Sequence, residues 1–596
     1  MNTLQSLVLP NLHVPASEDM SLRLNDRAWA RLDAGCVEFD TGGVASTDTF
    51  YNGLSVGAWQ RRCALATLSL VVAGVGDFVL RIGLHRSGQA SLWLAEHALS
   101  LAEGAPVELP LPAWPTLADG MLFWTLRARR PGRLDGAAWV TADAPRQPVR
   151  LGIVITHFNR QQQVLPAIER LRRTLLQRPD LQPHITLTVV DNSGNLGLEP
   201  GPGVEVIPSR NLGGTGGFMR GLLALKDGGG HTHALFMDDD ASCEADAIAR
   251  TFALLRHATD PGLAVCGALL REAAPWQLLE KGARFDGQVR PLSPGLDMRR
   301  VDHLLEAERV TVRPDYGAWW FFAFPIGEVK AYPFPFFVRG DDIHFGLANR
   351  FRIATLNGVA CLGEDFSVKH SPMTAYLDAR YHLVLALLAG GKARSGVSWV
   401  ASRLFVKQLS AYHYSSARAV ALAVRHVLQG PSFFNEHIDL AAVRAEIASW
   451  QPDEKLRPID RSAYQARPPR QGREGRGRRL LRLLTLQGFL LPDALLKNRM
   501  TLQDKAFHGR AGAVFRYRSV LYEHQPSGTG YVAVYDRARF FAELRGFIRL
   551  WRELLQRLPA LQAAYAEGAA GYAQEAYWRA VHQLPEAPAA RGEPDV

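Results

Sequence analysis

The sequence predicts an α/β protein: a mostly parallel, Rossmann-like sheet over 149–390, an N-terminal β-sandwich over 1–148, and a mainly helical C-terminal region over 391–596. Three observations predict it. Short alternating runs between Gly, Pro and Ser turns fill the first part. Strand and helix patterns alternate in the middle, and the hydrophobic repeat turns helical beyond about Ala375. At 596 residues the chain is too long for one ordinary core, so several domains are expected.

In the first part, Leu65–Val72, Asp77–Leu84 and Met121–Leu126 are β-branched or alternating runs at a spacing typical of a sandwich. No titratable cluster stands out there, which suits a packing or binding module. The composition changes at Leu151. Strands are expected at 151–156, 185–190, 204–208, 233–237 and 262–270, with helices at 163–177, 216–226 and 245–257 between them. Strands with helical crossovers form a parallel sheet covered on both faces, and such sheets bind ligands at the carboxyl ends of their strands. Toward the C-terminus, 537–558 places Phe540, Leu544, Phe547, Trp551, Leu554 and Leu558 on one helix face and Arg545, Arg549 and Arg552 along another.

Composition narrows the class. Hydrophobic residues make up 47% and charged residues 21%, as in soluble globular proteins. The longest apolar runs, Leu65–Val72 and Leu480–Leu491, fall short of the roughly 20 residues of a spanning helix. The N-terminus lacks the basic start and apolar stretch of a secretory leader. Five scattered cysteines without a C-x-x-C pair fit reduced thiols in a cytoplasm. The net charge of +10 points to an anionic partner, and Arg467–Arg482 is rich in arginine with a single acid. The absence of interleaved aromatics there argues against nucleic acid.

Four strand ends carry residues suited to one kind of ligand. The first runs into Arg160, whose planar fork can bond two pyrophosphate oxygens. The second ends in Asp191, a carboxylate that can accept from ribose hydroxyls or a base N–H. In Asn211–Arg220 four glycines, Gly213 and Gly214 first, open a helix and let backbone N–H groups approach an anion. It matches neither the P-loop nor the dinucleotide fingerprint. The fourth strand ends in Asp238-Asp239-Asp240, three carboxylates whose repulsion a divalent cation would relieve. Extended backbone sends Asp238 and Asp240 to one side, as expected Mn²⁺ or Mg²⁺ ligands, and Asp239 to the other. An N-cap cluster for the next helix is the competing reading.

Further on, Gly340-Asp341-Asp342 follows an apolar run, and Asp342 is placed to act as a general base, with Asp341 orienting it or binding acceptor. Trp319 and Trp320 read as exposed-type aromatics whose faces suit sugar C–H groups, although paired Trp is more often core. His370 is a single imidazole that could complete a metal site.

Together, HFNR (157–160), VVDNS (189–193), NLGGTGGFMRG (211–221) and FMDDDA (236–241) resemble the GT-A fold of inverting glycosyltransferase family 2. With DYGAWW (315–320), PFPFFVRGDDIHFGLA (333–348) and KHSP (369–372) the chain resembles bacterial galactofuranosyltransferases that polymerise galactan. The segments 49–62 and 530–558 extend the likeness to both ends. The resemblance implies UDP-galactofuranose as donor, with Arg160, Asp191, Gly213, Gly214 and Asp239 at the donor. It implies Asp238, Asp240 and His370 on Mn²⁺ or Mg²⁺, and Asp342 as the base. Trp319, Trp320 and Asp341 would shape the sugar and acceptor site. It further implies a lipid-linked glycan acceptor, cytoplasmic residence peripheral to the inner membrane face, an anionic membrane surface as partner, and room for a homo-oligomer. The family has Trp at Gly340 and near Met373, His near Asp378, and an acid near Ala283, with Glu280 as the nearest substitute. Another UDP-hexose, such as galactopyranose, and a non-enzymatic carbohydrate-binding protein are the competing functions.

Overall fold

The computed structural model describes residues 1–586 except 12–13, 15–17, 240–241, 310–311, 365–368, 390–392, 451–453, 469–473 and 505–510. The chain forms two compact units, each discontinuous in sequence. The first takes Met1–Tyr332, Asp342–Gly363 and Glu575–Val596, and the second takes Pro333–Asp341 and Glu364–Gln574. The expected boundary at 148–149 falls inside the first unit.

The first part of that unit is an eleven-stranded antiparallel system built on one 17-residue strand, Ser69–His85. Its N-terminal half pairs with Gly132–Thr141 and Val107–Pro110, and its C-terminal half with Met121–Ala128 and Leu92–Leu101. Side chains alternate along it, and Trp59, Trp114 and Trp139 are among the largest fully buried groups. The short helix Val56–Cys63 and the strand Asn2–Ser6 lie outside the runs that the alternation picks out.

The same unit holds a seven-stranded sheet. Its strands are β1 (Leu151–His157), β2 (Ile185–Asp191), β3 (Val204–Pro208), β4 (His233–Asp238), β5 (Leu263–Cys266), β6 (Phe322–Pro325) and β7 (Arg352–Ala354), in the order β3-β2-β1-β4-β6-β5-β7. The first four are mutually parallel, whereas β6 runs antiparallel between β4 and β5. Every residue of β1 is buried, which is why it reads as a continuous apolar run. Helices α1 (Gln161–Leu171), α2 (Gly213–Asp227) and α3 (Ala245–His257) follow β1, β3 and β4, and α4 (Asp341–Asn349) begins at the paired acids.

In the second unit the long helices are Pro372–Leu388, Ala393–Ser410, Tyr414–Leu428 and Arg537–Tyr572, with a short one, α5 (Arg476–Leu484). It also contains a five-stranded sheet, among them Lys497–Asp504, Tyr517–His524 and Thr529–Val534. That sheet is additional to the helical region read from the sequence. Its strands carry Arg, Glu and Gln among the apolar residues, and this breaks the alternation.

Candidate functional site at the sheet edge

Parallel strands deliver their carboxyl ends to one edge, and here the register sets the polar residues side by side. His157 at the end of β1 pairs with Asp191 of β2, and Thr156 pairs with Asp238 of β4. Neighbouring strands lie about 4.8 Å apart, so these groups form one short row.

Asp191 is buried and organises the loop after β2. Its Oδ1 accepts from Ser193 N, Gly194 N and Ser193 Oγ at 2.9, 2.9 and 3.0 Å, and its Oδ2 accepts from Leu196 N at 3.0 Å. Burial alone would raise its pKa. The hydrogen bonds outweigh that and hold it below the usual carboxylate range. A second layer of contacts joins this loop to the one after β1. Asn195 Nδ2 donates to Asn159 Oδ1 at 2.7 Å, Ser193 Oγ donates to Asn195 Oδ1 at 2.7 Å, and His157 Nε2 lies 3.2 Å from Asn195 Oδ1.

Asp239 points back toward β1, as the alternation of extended backbone requires. Its side chain is 12% exposed, and its Oδ2 accepts from Phe158 N at 3.2 Å and lies 3.6 Å from His157 Nδ1. Its Oδ1 is 3.5 Å from a terminal nitrogen of Arg160, whose side chain is 39% exposed. Asp239 therefore aims the arginine at the sheet edge. Asp238 closes β4, partly buried, while Asp240 lies outside the described residues. Among the described residues, no three His, Cys, Asp or Glu side chains gather as a metal site.

The glycine run divides its labour. Gly213 opens α2 with φ +70° and donates its N–H to Asn211 Oδ1 at 3.0 Å. A Cβ on Gly214 would meet nothing within 4 Å, so this backbone stands open. Gly217 and Gly221 instead let the helix lie on β1. A Cβ on Gly217 would come within 2.7 Å of Thr156 Cγ2, and one on Gly221 within 2.2 Å of Val154 Cγ1. The run serves helix–sheet packing as much as an anion.

The aromatic pair is buried, the position that paired Trp more often takes. Trp319 sits 5.0 to 5.7 Å, centre to centre, from Phe218, Phe236 and Phe345, in an aromatic cluster under the sheet edge. Trp320 donates its indole N–H to Gly267 O at 3.2 Å. The inserted strand β6 follows the pair directly and draws it into the core. Asp342, partly buried, stands in the first turn of α4, where its Oδ1 accepts from Ile343 N at 2.8 Å. Glu280, which the resemblance offers only as a substitute, is buried, and one of its oxygens has no hydrogen-bond partner among the described residues. Burial raises its pKa to about 8. Glu280 and Asp342 both act electrostatically on the buried Cys266 thiol, whose pKa burial above all pushes up to about 12.

Asp341 and His370 belong to the second unit. Both are buried, and His370 Nε2 lies 3.5 Å from Ser416 Oγ, which is itself bonded to Glu454. Gly340 in that unit has φ +83°, and a Cβ there would come within 2.6 Å of Tyr381 Cβ. This excludes the tryptophan that the resemblance places at the position. Asp378 is paired with Arg339.

The strand ends of this mostly parallel sheet thus bring together an arginine, an organised aspartate, helix-N-terminal glycines and a carboxylate pair. No protein-family model matches the chain. The galactofuranosyltransferase GlfT2 of Mycobacterium tuberculosis is 24% identical over 604 residues, spanning 92% of this chain and 91% of that protein. That of Mycolicibacterium smegmatis is 26% identical over 420 residues, and the match spans 64% of each chain. The chain is a relative of these curated galactofuranosyltransferases, as its motif series implies. Among solved structures, a mannosyltransferase from Pyrobaculum calidifontis in complex with GDP-Man and Mn²⁺ overlaps 52% of this chain and 85% of its own, at 14% identity and TM-score 0.28. S. aureus TarS 1–349 overlaps 52% and 95% at 12% identity and TM-score 0.28.

Proposed function

We propose that the chain is a GT-A galactofuranosyltransferase that moves galactofuranose from UDP-galactofuranose to a hydroxyl of a glycan acceptor. The observation that carries this reading is the row of polar groups at the ends of β1, β2 and β4, within a chain that aligns along 92% of its length with a galactofuranosyltransferase. Asp191 fits the nucleoside half of the donor, because its loop is already ordered. Arg160, aimed by Asp239, meets the diphosphate beside the open Gly213–Gly214 backbone. Asp342 takes the proton of the acceptor hydroxyl as that oxygen bonds to the anomeric carbon and the bond to UDP breaks, with inversion. Arg160 offsets the charge that builds on the departing diphosphate.

A carboxylate at a strand end beside a diphosphate suits a hard divalent cation, and Asp238 with Asp240 would hold Mn²⁺ or Mg²⁺ there. Such an ion would supply charge neutralisation at the diphosphate. Asp238, which closes β4 partly buried, is the described carboxylate placed for that role, while Asp239 contacts Phe158, His157 and Arg160.

Asp342→Asn is expected to keep UDP affinity within about twofold while transfer falls by about 10²–10⁴. Calorimetry with UDP and a radiolabel transfer assay read the two separately, and near-normal turnover would remove Asp342 from the base role. Because the family's upstream acid falls at Ala283, a second donor, UDP-galactopyranose, is the competing reading. Side-by-side turnover of the two donors decides between them.

A further inference from the structure

The second unit holds a cavity of about 930 Å³, within the roughly 300–1,000 Å³ that small-molecule sites occupy. Its lining residues all lie between Tyr412 and Arg539, and none of them is a residue of the sheet edge. Two long helices, Tyr414–Leu428 and Arg537–Tyr572, begin on its wall. Their starts are tied together, because the Tyr414 hydroxyl accepts from Asp536 N at 2.9 Å. Each start adds a partial positive charge.

The acids of the wall are already engaged. Glu454 caps the first helix, its Oε1 accepting from Ser415 N at 2.8 Å and Ser416 N at 3.2 Å. Asp536 caps the second by accepting from Arg539 N at 2.9 Å. Asp493 lies 3.6 Å from a terminal nitrogen of Arg518. Lys455, Arg457 and Arg537 remain, exposed and without an ion pair among the described residues. The cavity therefore carries a net positive charge, five basic side chains against three acids.

The rest of the wall is largely tyrosine. Tyr464 is half-buried and has no ring contact among the described residues. Tyr535 rests one face on Phe489, with ring centres 4.4 Å apart. The Tyr535 hydroxyl and Arg518 Nε are buried with no hydrogen-bond partner among the described residues, so the wall has polar capacity to spare. Guanidinium forks match phosphate oxygens. A single open ring face suits the C–H face of a sugar, whereas a nucleobase in a pocket is held between two faces.

We propose that this cavity is a second ligand site, for a phosphorylated sugar, with the phosphate on Arg457 and Arg537 and the sugar ring against Tyr464. The capped helix starts fix the wall and leave those three side chains for the ligand.

Calorimetry of the full chain with glucose 1-phosphate tests this. Wild type should bind it, and should bind glucose or inorganic phosphate alone at least about tenfold more weakly. Arg457→Glu/Arg537→Glu should weaken binding about tenfold or more, and Tyr464→Ala about fivefold. Arg160→Ala, which alters only the sheet edge, and Arg552→Glu, an exposed charge outside the cavity, should bind as wild type does. Neither cavity variant removes a buried contact, so their melting temperatures and UDP affinity should stay at wild-type values. The proposal is overturned if wild type does not bind glucose 1-phosphate, or binds inorganic phosphate as tightly. It is equally overturned if Arg160→Ala or Arg552→Glu weakens binding as much as the cavity variants do, or if uridine monophosphate binds the cavity more tightly than the sugar phosphate.

Discussion

Replacing Gly221 by alanine should destabilise the protein by about 2 kcal/mol, and the sign should reverse when Val154 is also cut to alanine. The new Cβ would come to 2.2 Å from Val154 Cγ1, against an ordinary carbon contact of about 3.5–4.0 Å. Val154 cannot retreat. It is fully buried in β1, paired to Thr188 on one side and Phe236 on the other. An overlap above 1 Å belongs at the upper end of the roughly 1–3 kcal/mol that overpacking costs. Alanine recovers about 1 kcal/mol of helix propensity over glycine, which leaves the net loss stated. In the Val154→Ala background both Cγ atoms are gone and the Cβ of residue 154, 3.3 Å away, need give only a few tenths of an ångström, so Gly221→Ala should gain at most about 1 kcal/mol, a coupling of up to about 3 kcal/mol. Urea midpoints of the four proteins, at unchanged m, measure it. UDP affinity should fall in the single Gly221 variant, because α2 carries Gly213 and Gly214, and should recover in the double. If Gly221→Ala has the same sign in both backgrounds, the close approach of α2 to β1 is not what the glycine serves.

Burial holds the Glu280 pKa at about 8, so the folded protein keeps a proton that the unfolded chain releases near 4.5. That contribution is complete below about pH 4.5 and disappears as pH rises toward 8. Glu280→Gln should therefore melt increasingly above wild type from pH 5 to 8.5, and a constant gap would contradict it. Asp191 runs the other way. Its pKa is held low, so its hydrogen bonds stabilise above the ordinary carboxylate range and are lost as pH falls through the lowered value. Asp191→Asn should cost about 2–3 kcal/mol at neutral pH, where charged acceptors matter most. Its stability should be flatter than that of wild type in an acid titration followed by circular dichroism. Arg160→Ala should weaken UDP binding about tenfold or more in calorimetry, because a bidentate donor to the diphosphate is lost.

Much of the sheet edge was legible because hydrophobic strands that run into polar residues signal their own C-terminal ends. Arg160, Asp191, Gly213, Asp238 and Asp239 were found that way, and the relatives bear out the family their motifs pointed to. What escaped is long-range. Asp239 meets Phe158 81 residues away in sequence, and nothing local announces it. His157, Ser193 and Asn195 join two loops through side chains that read as ordinary loop polar groups. Gly217 and Gly221 look identical to Gly213 in a sequence, yet packing against β1 separates them. The burial of Trp319 follows from the antiparallel insertion of β6, which breaks the βα alternation on which the reading relied.

The helix Glu575–Val581 belongs to the first unit and packs on α2. Arg579 pairs with Asp227, Glu575 with Lys226, and Arg210 donates to Val581 O at 2.9 Å. A ribosome delivers this clasp only after more than two hundred residues of the second unit have emerged. The helix that presents Gly213 and Gly214 thus stays unclasped through most of synthesis. The polar sheet edge begins to assemble first and is completed last, and a chain broken before residue 575 leaves Asp227 and Lys226 without their partners on that helix.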